Sequence, residues 1–180
     1  MSRIGTSTQA IQMVKYLQLV GYRVAYVERN QNEYSKGVLA LYRGAKRYKS
    51  GVFYQDVILY GKDSIKEMEE EKYDFLVKDY GSVRDAGFEK VSFLEQKRHL
   101  LVCGVKADEI LYTEEALEQY GEDCDAFCFS FVAIKDRKEI ELMMGAKKSC
   151  THFAEWISDP FCFHPSSAAC CQTLLFSKRK

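Results

Sequence analysis

Hydroxyl and carboxylate side chains stand at three places where their spacing could support chemistry. Ser7 and Thr8 follow Gly5 in a short polar turn, whereas Glu28 and Asp79 each end an apolar run. Carboxylate oxygens bind Mg²⁺, and a protein-bound Mg²⁺ ion usually also carries the phosphates of a substrate. Hydroxyls at a helix start and carboxylates at strand ends are residue types that can bind an anion or a cation, so a site is possible if the fold brings the three places to one edge.

The turn around Gly5 feeds an apolar pattern with three- and four-residue spacing, which predicts a helix from about Ser7 to Val20. A helix N-terminus presents unpaired N–H groups and the positive end of the helix dipole, and a preceding glycine lets the backbone approach a ligand. Ser and Thr are also the ordinary N-caps of any helix. On its own, the turn leaves both interpretations open.

A strand follows at once, because Gly21 ends the helix and residues 22–27 are β-branched and aromatic. This strand ends at Glu28, with Asn30 two positions later. A turn, a helix and a buried strand with polar residues at its carboxyl end form half of a nucleotide-binding α/β unit.

The second informative stretch is YDFLVKDYGS, residues 73–82. It predicts a buried strand that ends at Asp79, followed by a turn that contains Gly81. A carboxylate at the tip of a central parallel strand can hold Mg²⁺ through water, and a glycine leaves the turn free to move. Asp and Gly also end strands that have no function, so this alternative stays open.

Taken together, RIGTST (residues 3–8), the helix and GYRVAYVERN (residues 21–30) resemble the start of a MinD/ParA-type P-loop ATPase. The similarity is greatest to the divergent CpaE/TadZ-like members, and residues 73–82 resemble the family's Walker B and switch II segment. The resemblance implies that ATP and Mg²⁺ are bound, with Ser7 and Asp79 holding the metal. It also implies that Glu28 orients the attacking or metal-bound water and that Asn30, which cannot act as a base, takes the next acidic position.

The phosphate loop departs from the family pattern, which reads roughly Lys-Gly-Gly-x-Gly-Lys-Thr-Thr. Thr6 stands at the phosphate-binding Lys, Met1 at the extra signature Lys, and Ser2 and Arg3 at two glycines. A lysine neutralises the terminal phosphates, so its loss affects hydrolysis more than binding, which the N–H groups of residues 5–8 can partly sustain. We therefore expect weak or absent hydrolysis, with Arg3 as a further source of positive charge.

The rest of the chain alternates strands and helices. The predicted strands are residues 98–105, 125–134 and 151–156, and the predicted helices are residues 107–120 and a segment that runs through Met144. This alternation favours an α/β fold with a mostly parallel sheet. The resemblance specifies a three-layer P-loop NTPase-like domain over residues 1–161, with helices on both faces and an irregular tail at 162–180.

Two further expectations come from the resemblance. The family's first strand has no counterpart before the loop, which indicates truncation inside the loop or a fold closed over the missing strand. Members of the family often recognise adenine after the strand equivalent to residues 125–134, so residues 130–135 (SFVAIK) are a candidate base pocket.

Composition narrows the classes of partner. Twenty-six basic residues balance twenty-six acidic residues, so no global field favours nucleic acid. Basic and tyrosine residues alternate over residues 31–51, where a solvated segment with sideways-packed tyrosines is preferred to a nucleic-acid binding surface.

No apolar run reaches the roughly 18 to 20 residues of a membrane span. Seven scattered cysteines without a signal peptide favour a cytoplasmic protein with reduced thiols, and their spacing disfavours zinc at Cys162, His164, Cys170 and Cys171.

Three functional interpretations remain open from the sequence. The first is an ATP-dependent switch or positioning factor, in effect a degenerate ATPase. The second is a pseudo-ATPase that serves as an interaction module, with a protein partner in a secretion, pilus or positioning system. The third is a truncated fragment without its own function. A homodimer is compatible with the first two.

Overall fold

The computed structural model describes residues 4–62, 64, 68 and 70–176 of the chain. Met1, Ser2 and the predicted phosphate-loop residue Arg3 lie outside the described residues. So do Lys66, Glu67 and Glu69 of the acidic run at 66–72, whose composition favours a short exposed helix. Internal contacts divide the chain into two compact units. One contains residues 6–90 and 159–163, and the other contains residues 1–5, 91–158 and 164–180.

The first unit is built on a five-stranded mixed sheet with the order β2-β3-β4-β1-β5. Strand β1 pairs in parallel with both β4 and β5, whereas β2, β3 and β4 form an antiparallel meander. Its elements are α1 (Thr6–Leu19), β1 (Val24–Glu28), α2 (Tyr34–Leu41), β2 (Lys46–Tyr48), β3 (Gly51–Tyr54), β4 (Val57–Tyr60) and β5 (Phe75–Asp79).

Helix α1 ends where the sequence predicts, and the cause is visible in its last turn. Gly21 has a φ of +100°. Its N–H donates to the Gln18 carbonyl, and the N–H of Tyr22 donates to the Leu17 carbonyl. This is the Schellman arrangement, in which a left-handed glycine satisfies the last carbonyls of a helix. The chain then turns directly into β1.

The β-branched and aromatic residues at 52–60 are typical of a strand or a hairpin, and the segment is a hairpin. Gln55 and Asp56 occupy its two-residue turn with φ values of +44° and +64°. Two successive positive φ values match the twist of the flanking strands, as in type I′ turns.

Both faces of β1 are covered. All five of its residues are buried. Ile11, Val14 and Leu17 of α1 are at most 2% exposed, and α1 packs against β1 and β5. A second cluster contains Ala25, Val27, Tyr60 and Met68. Because β1 is the middle of three parallel strands, its carboxyl end is held rigidly from both sides.

The basic and aromatic segment at 31–51 behaves as the preferred interpretation expects. Arg43 is exposed, whereas the ring of Tyr42 packs edge-on against Tyr54 and Phe161, with centroids 5.2 and 5.7 Å away. The ring of Tyr34 lies 5.9 Å from that of Tyr26. These tyrosine rings pack sideways against other aromatic rings of the first unit.

The second unit has a three-stranded, wholly parallel sheet with the order β6-β7-β8. The elements after β5 are α3 (Lys90–Leu94), β6 (Leu100–Cys103), α4 (Ile110–Tyr120), β7 (Ala126–Ser130), α5 (Arg137–Met144), β8 (Thr151–Ala154) and α6 (Ala168–Phe176). Each strand and helix predicted for this region is present, with shorter bounds. The alternation of parallel strands and helices confirms the α/β class, as a mixed architecture with flanking helices.

The tail differs from the expectation of an irregular segment. Residues 168–176 form α6, in which Cys170, Cys171 and Leu174 are buried. The sequence AACCQTLLF is apolar on most faces, so it lacks the amphipathic period by which a helix is recognised.

Candidate functional site

Strands β1 and β5 bring Glu28 and Asp79 to the same edge of the sheet. The two residues are register partners in a parallel pair. Both side chains are buried, with 2% exposure each. This confirms the prediction that the two carboxylates meet at the carboxyl edge of adjacent parallel strands.

The Asp79 carboxylate is the hub of the site. Its Oδ2 accepts hydrogen bonds from the Ser7 hydroxyl at 2.6 Å and the Tyr26 hydroxyl at 2.8 Å. Its Oδ1 accepts from the Gly81 N–H at 2.9 Å. A buried carboxylate requires such donors to offset its lost hydration. Ser7 and Asp79, the two predicted metal ligands, therefore touch directly.

Tyr26 is a site residue that the sequence analysis missed. Its side chain is fully buried, and its hydroxyl shares Oδ2 of Asp79 with Ser7. Burial raises its pKa well above the usual value, and the charges of Asp79 and Glu28 raise it further. The hydroxyl therefore stays protonated at neutral pH and remains a donor. The available signal was its position two residues before Glu28, which places both side chains on one face of β1.

Glu28 is engaged with the start of α2. Its Oε1 accepts from the Tyr34 N–H at 2.5 Å, and its Oε2 accepts from the Ser35 N–H at 3.3 Å and the Ser35 hydroxyl at 3.1 Å. The positive end of a helix dipole favours such a carboxylate. Glu28 thus anchors α2 in this structure, and its role toward water remains a prediction.

Asn30 and Gly81 join the loops that follow β1 and β5. The Asn30 amide donates to the Asp79 carbonyl at 2.9 Å, and its side-chain oxygen accepts from the Asn32 N–H at 2.8 Å. Gly81 has a φ of +72°, and a Cβ there would lie 2.8 Å from the Asn30 Cβ. Both the backbone conformation and the close approach require glycine at this turn.

The remaining predicted residues lie before or within the first turn of α1. Thr6 and Thr8 belong to that turn and are half-buried, as is Ser7. Gly5, with a φ of +89°, is assigned to the second unit. A Cβ at Gly5 would lie 3.7 Å from the Ser130 hydroxyl oxygen and 3.8 Å from the Phe131 ring, which are ordinary van der Waals distances. The positive φ, and not a lack of space, therefore favours glycine here.

The predicted base pocket begins at the carboxyl end of β7. Phe131 has a φ of +61°, which is uncommon for a bulky residue. Its ring centroid lies 5.5 Å from that of Trp156, a side chain that is 75% exposed. Within the described residues, the buried Ser130 hydroxyl has no hydrogen-bond partner. Strained backbone and an unsatisfied polar atom are features that binding sites often carry.

Asp159 is a further carboxylate that the sequence analysis did not assign. Its charge, with those of Asp79 and Glu28, contributes after burial and Tyr42 to the raised pKa of Tyr34. The segment that follows is tied to α1, because the Gln12 amide donates to the carbonyls of Pro160 and Cys162 at 2.8 and 2.9 Å. The carboxylates of Asp79, Asp159 and Glu28 therefore place negative charge around Tyr34, the first residue of α2.

The donor set suits magnesium better than zinc. In the described part of the chain, no group of three or more His, Cys, Asp or Glu side chains is placed to hold a metal ion. A hydroxyl beside one carboxylate matches Mg²⁺, which is commonly held by one or two carboxylates together with water and substrate phosphates. Ser7 and Asp79 meet that requirement, because their oxygens lie 2.6 Å apart.

No protein-family model and no curated protein sequence matches the chain. Solved structures do match. MinD cell division protein of Aquifex aeolicus aligns with 97% of this chain and 91% of its own length at 12% identity, with a TM-score of 0.62. The chain has the fold of MinD. The MinC:MinD cell division protein complex of the same organism gives a TM-score of 0.63 at 12% identity, over 100% of this chain and 94% of the other.

This similarity confirms the α/β, P-loop ATPase-like fold that the sequence resemblance implied. At this identity it establishes the fold alone. None of the helices among the described residues is long and apolar enough to cross a membrane.

Proposed function

We propose that this protein binds an adenine nucleotide with Mg²⁺ and uses it as a switch or positioning signal, with weak or absent hydrolysis. The observation that carries the proposal is the 2.6 Å contact between Ser7 and Asp79 at the carboxyl edge of β5. A hydroxyl from a helix start beside a carboxylate from a strand end is the protein's share of a Mg²⁺-phosphate site.

In this proposal the phosphates lie at the start of α1, against the N–H groups of residues 5–8. The Ser7 hydroxyl and the Asp79 carboxylate would hold the Mg²⁺ ion, which would supply positive charge to the phosphates. Asn30 and Gly81 couple the loops after β1 and β5, so that a change at one reaches the other. When bound, Mg²⁺ would neutralise phosphate charge that Thr6 cannot neutralise.

Hydrolysis is disfavoured for two reasons in this chain. Thr6 stands where the resemblance expects the phosphate-binding lysine. Both oxygens of Glu28 already accept hydrogen bonds from the N-terminus of α2, so fewer of its lone pairs are open to a water. A protein that binds nucleotide without rapid turnover acts as a slow switch.

One observation favours a second candidate, an interaction module that has kept the fold without the ligand. The Asp79 carboxylate is already satisfied by three protein donors, Ser7, Tyr26 and Gly81. Under this alternative the bonds stabilise the fold, and a protein partner is the functional ligand. The MinC:MinD complex, a structural neighbour, contains two proteins bound together, which supports a protein partner under this alternative.

Calorimetric titration of the chain with ATP in Mg²⁺, and again in EDTA, tests the proposal. We expect weak binding that strengthens with Mg²⁺. Ser7→Ala should remove most of that gain, whereas Ser149→Ala, at an exposed serine, should leave it unchanged. Absence of binding under both conditions would contradict nucleotide binding and favour the interaction module.

A further inference from the structure

We infer that Tyr26 is a positioning residue for Asp79, one that keeps Oδ2 of the carboxylate hydrogen-bonded and oriented when the Ser7 hydroxyl turns away toward a ligand. This inference rests on the proposed function and adds a residue to it. Tyr26 lies in the middle of β1, and its hydroxyl reaches Oδ2 of Asp79 at 2.8 Å from within the sheet.

The geometry separates Tyr26 from Ser7, although both donate to the same oxygen. Ser7 stands at the start of α1, is half-buried and lies where phosphates would be held. Tyr26 is fully buried in the strand that carries Glu28. Ser7 can therefore turn toward a ligand, whereas Tyr26 has no comparable freedom in a close-packed interior.

This difference matters when the Ser7 hydroxyl turns away from the Asp79 carboxylate. When Ser7 leaves Oδ2, the buried Asp79 carboxylate would lose one of its donors, and an unsatisfied buried charge is costly. Tyr26 keeps that oxygen bonded throughout.

A matched pair of substitutions isolates this role. Tyr26→Phe removes the hydroxyl beside Asp79. Tyr60→Phe removes an equally buried hydroxyl on β4, whose partner is the Tyr73 hydroxyl at 3.0 Å. Each variant deletes one hydrogen bond made by a buried tyrosine of the same sheet, so both should lower the melting temperature, with the larger loss for Tyr26→Phe because its partner is a carboxylate.

The measurement is the ratio of ATP affinity in Mg²⁺ to that in EDTA, by calorimetric titration. We expect Tyr26→Phe to reduce this ratio on the order of tenfold, as for loss of one hydrogen bond to a charged group. Tyr60→Phe should keep the ratio of the parent. In an Asp79→Asn background, Tyr26→Phe should cause no further loss, because Tyr26 acts through that carboxylate.

The outcomes separate the inference from the function on which it rests. A parent chain that binds no nucleotide overturns both. A parent with a clear Mg²⁺ gain that Tyr26→Phe and Tyr60→Phe leave equally intact overturns the positioning role alone. Full additivity of Tyr26→Phe and Asp79→Asn would overturn it as well.

Discussion

Glu28 and Asp79 are register partners on adjacent parallel strands, yet their carboxylates are used differently. Asp79 gathers donors from α1, β1 and its own following turn, whereas Glu28 turns to the N-terminus of α2. One edge of the sheet thus holds a candidate metal ligand beside a helix anchor. The predictions below test this division of roles.

Glu28→Ala should destabilise the fold by about 1–3 kcal/mol, because the N–H groups of Tyr34 and Ser35 would lose their acceptor. Urea unfolding gives the free energy, and amide exchange at Tyr34 and Ser35 should become faster. Glu33→Ala is the control, since that side chain is 64% exposed and pairs only with Lys36 among the ion pairs of the described residues. Equal effects of the two substitutions would contradict the anchoring role.

Gly81→Ala should cost more stability than Gly44→Ala. Both glycines have positive φ, +72° and +96°, so both variants carry backbone strain on the order of 1–2 kcal/mol. Only at Gly81 would the new Cβ meet another atom, the Asn30 Cβ at 2.8 Å, whereas Gly44 has open space. Thermal melting of the two variants compares the costs. An equal loss would mean that the contact with Asn30 relaxes freely.

Thiol reactivity should divide the cysteines by burial. Cys162 is exposed, whereas burial raises the pKa of Cys124 and of Cys171 to about 12. At pH 8 a thiol reagent should therefore modify Cys162 quickly, and Cys162→Ser should remove that fast phase. Rapid modification of Cys171 in the native protein would contradict the packing of α6.

The same pKa shifts set a dependence of stability on pH. The unfolded thiols lose protons near pH 9, while folded Cys124 and Cys171 keep theirs until about pH 12. The folded state then binds more protons, so the free energy of unfolding should fall as the pH rises from 9 toward 12. Urea unfolding at pH 8 and 10 measures the fall, and Cys171→Ala should reduce its slope.

The sequence was sufficient for the elements that frame the site. The period of α1, the stop at Gly21 and the apolar runs before Glu28 and Asp79 are local signals, and each of these elements is present. The strand before Asp79 was predicted as buried, whereas β5 ends the sheet order and its Phe75 and Leu76 are exposed. The meeting of Glu28 and Asp79 also followed, because parallel strands align their carboxyl ends. Such features depend on local pattern and on one topological rule, so they can be predicted without coordinates.

Other parts of the site could not be predicted because their causes are tertiary. A tyrosine in an apolar strand is normally a core residue, so nothing in the sequence marked Tyr26 as a partner of Asp79. The anchoring of α2 by Glu28 also had no local signal, because α2 contains Gly37 and lies in a segment without a clear period. At the Gln55-Asp56 turn, positive φ values occur without the glycine that usually announces them.

Thr6→Lys should raise ATP affinity or turnover, since it restores a positive charge near the terminal phosphates. Gln119→Lys, at an exposed position on α4, adds the same charge elsewhere and should have no such effect. Calorimetric titration and phosphate release measure the two quantities. No heat for either the native chain or Thr6→Lys would shift the interpretation to a pseudo-ATPase interaction module.

The most direct measurement of the central claim is the ATP affinity of Asp79→Asn with Mg²⁺ and with EDTA, alongside its thermal melting. The substitution keeps the size of the side chain and removes the charge that attracts the metal. If Asp79 holds Mg²⁺, affinity should fall on the order of tenfold or more with the metal present and change little in EDTA. A variant that melts like the parent and keeps the affinity of the parent both in Mg²⁺ and in EDTA would remove Asp79 from the site and contradict the account.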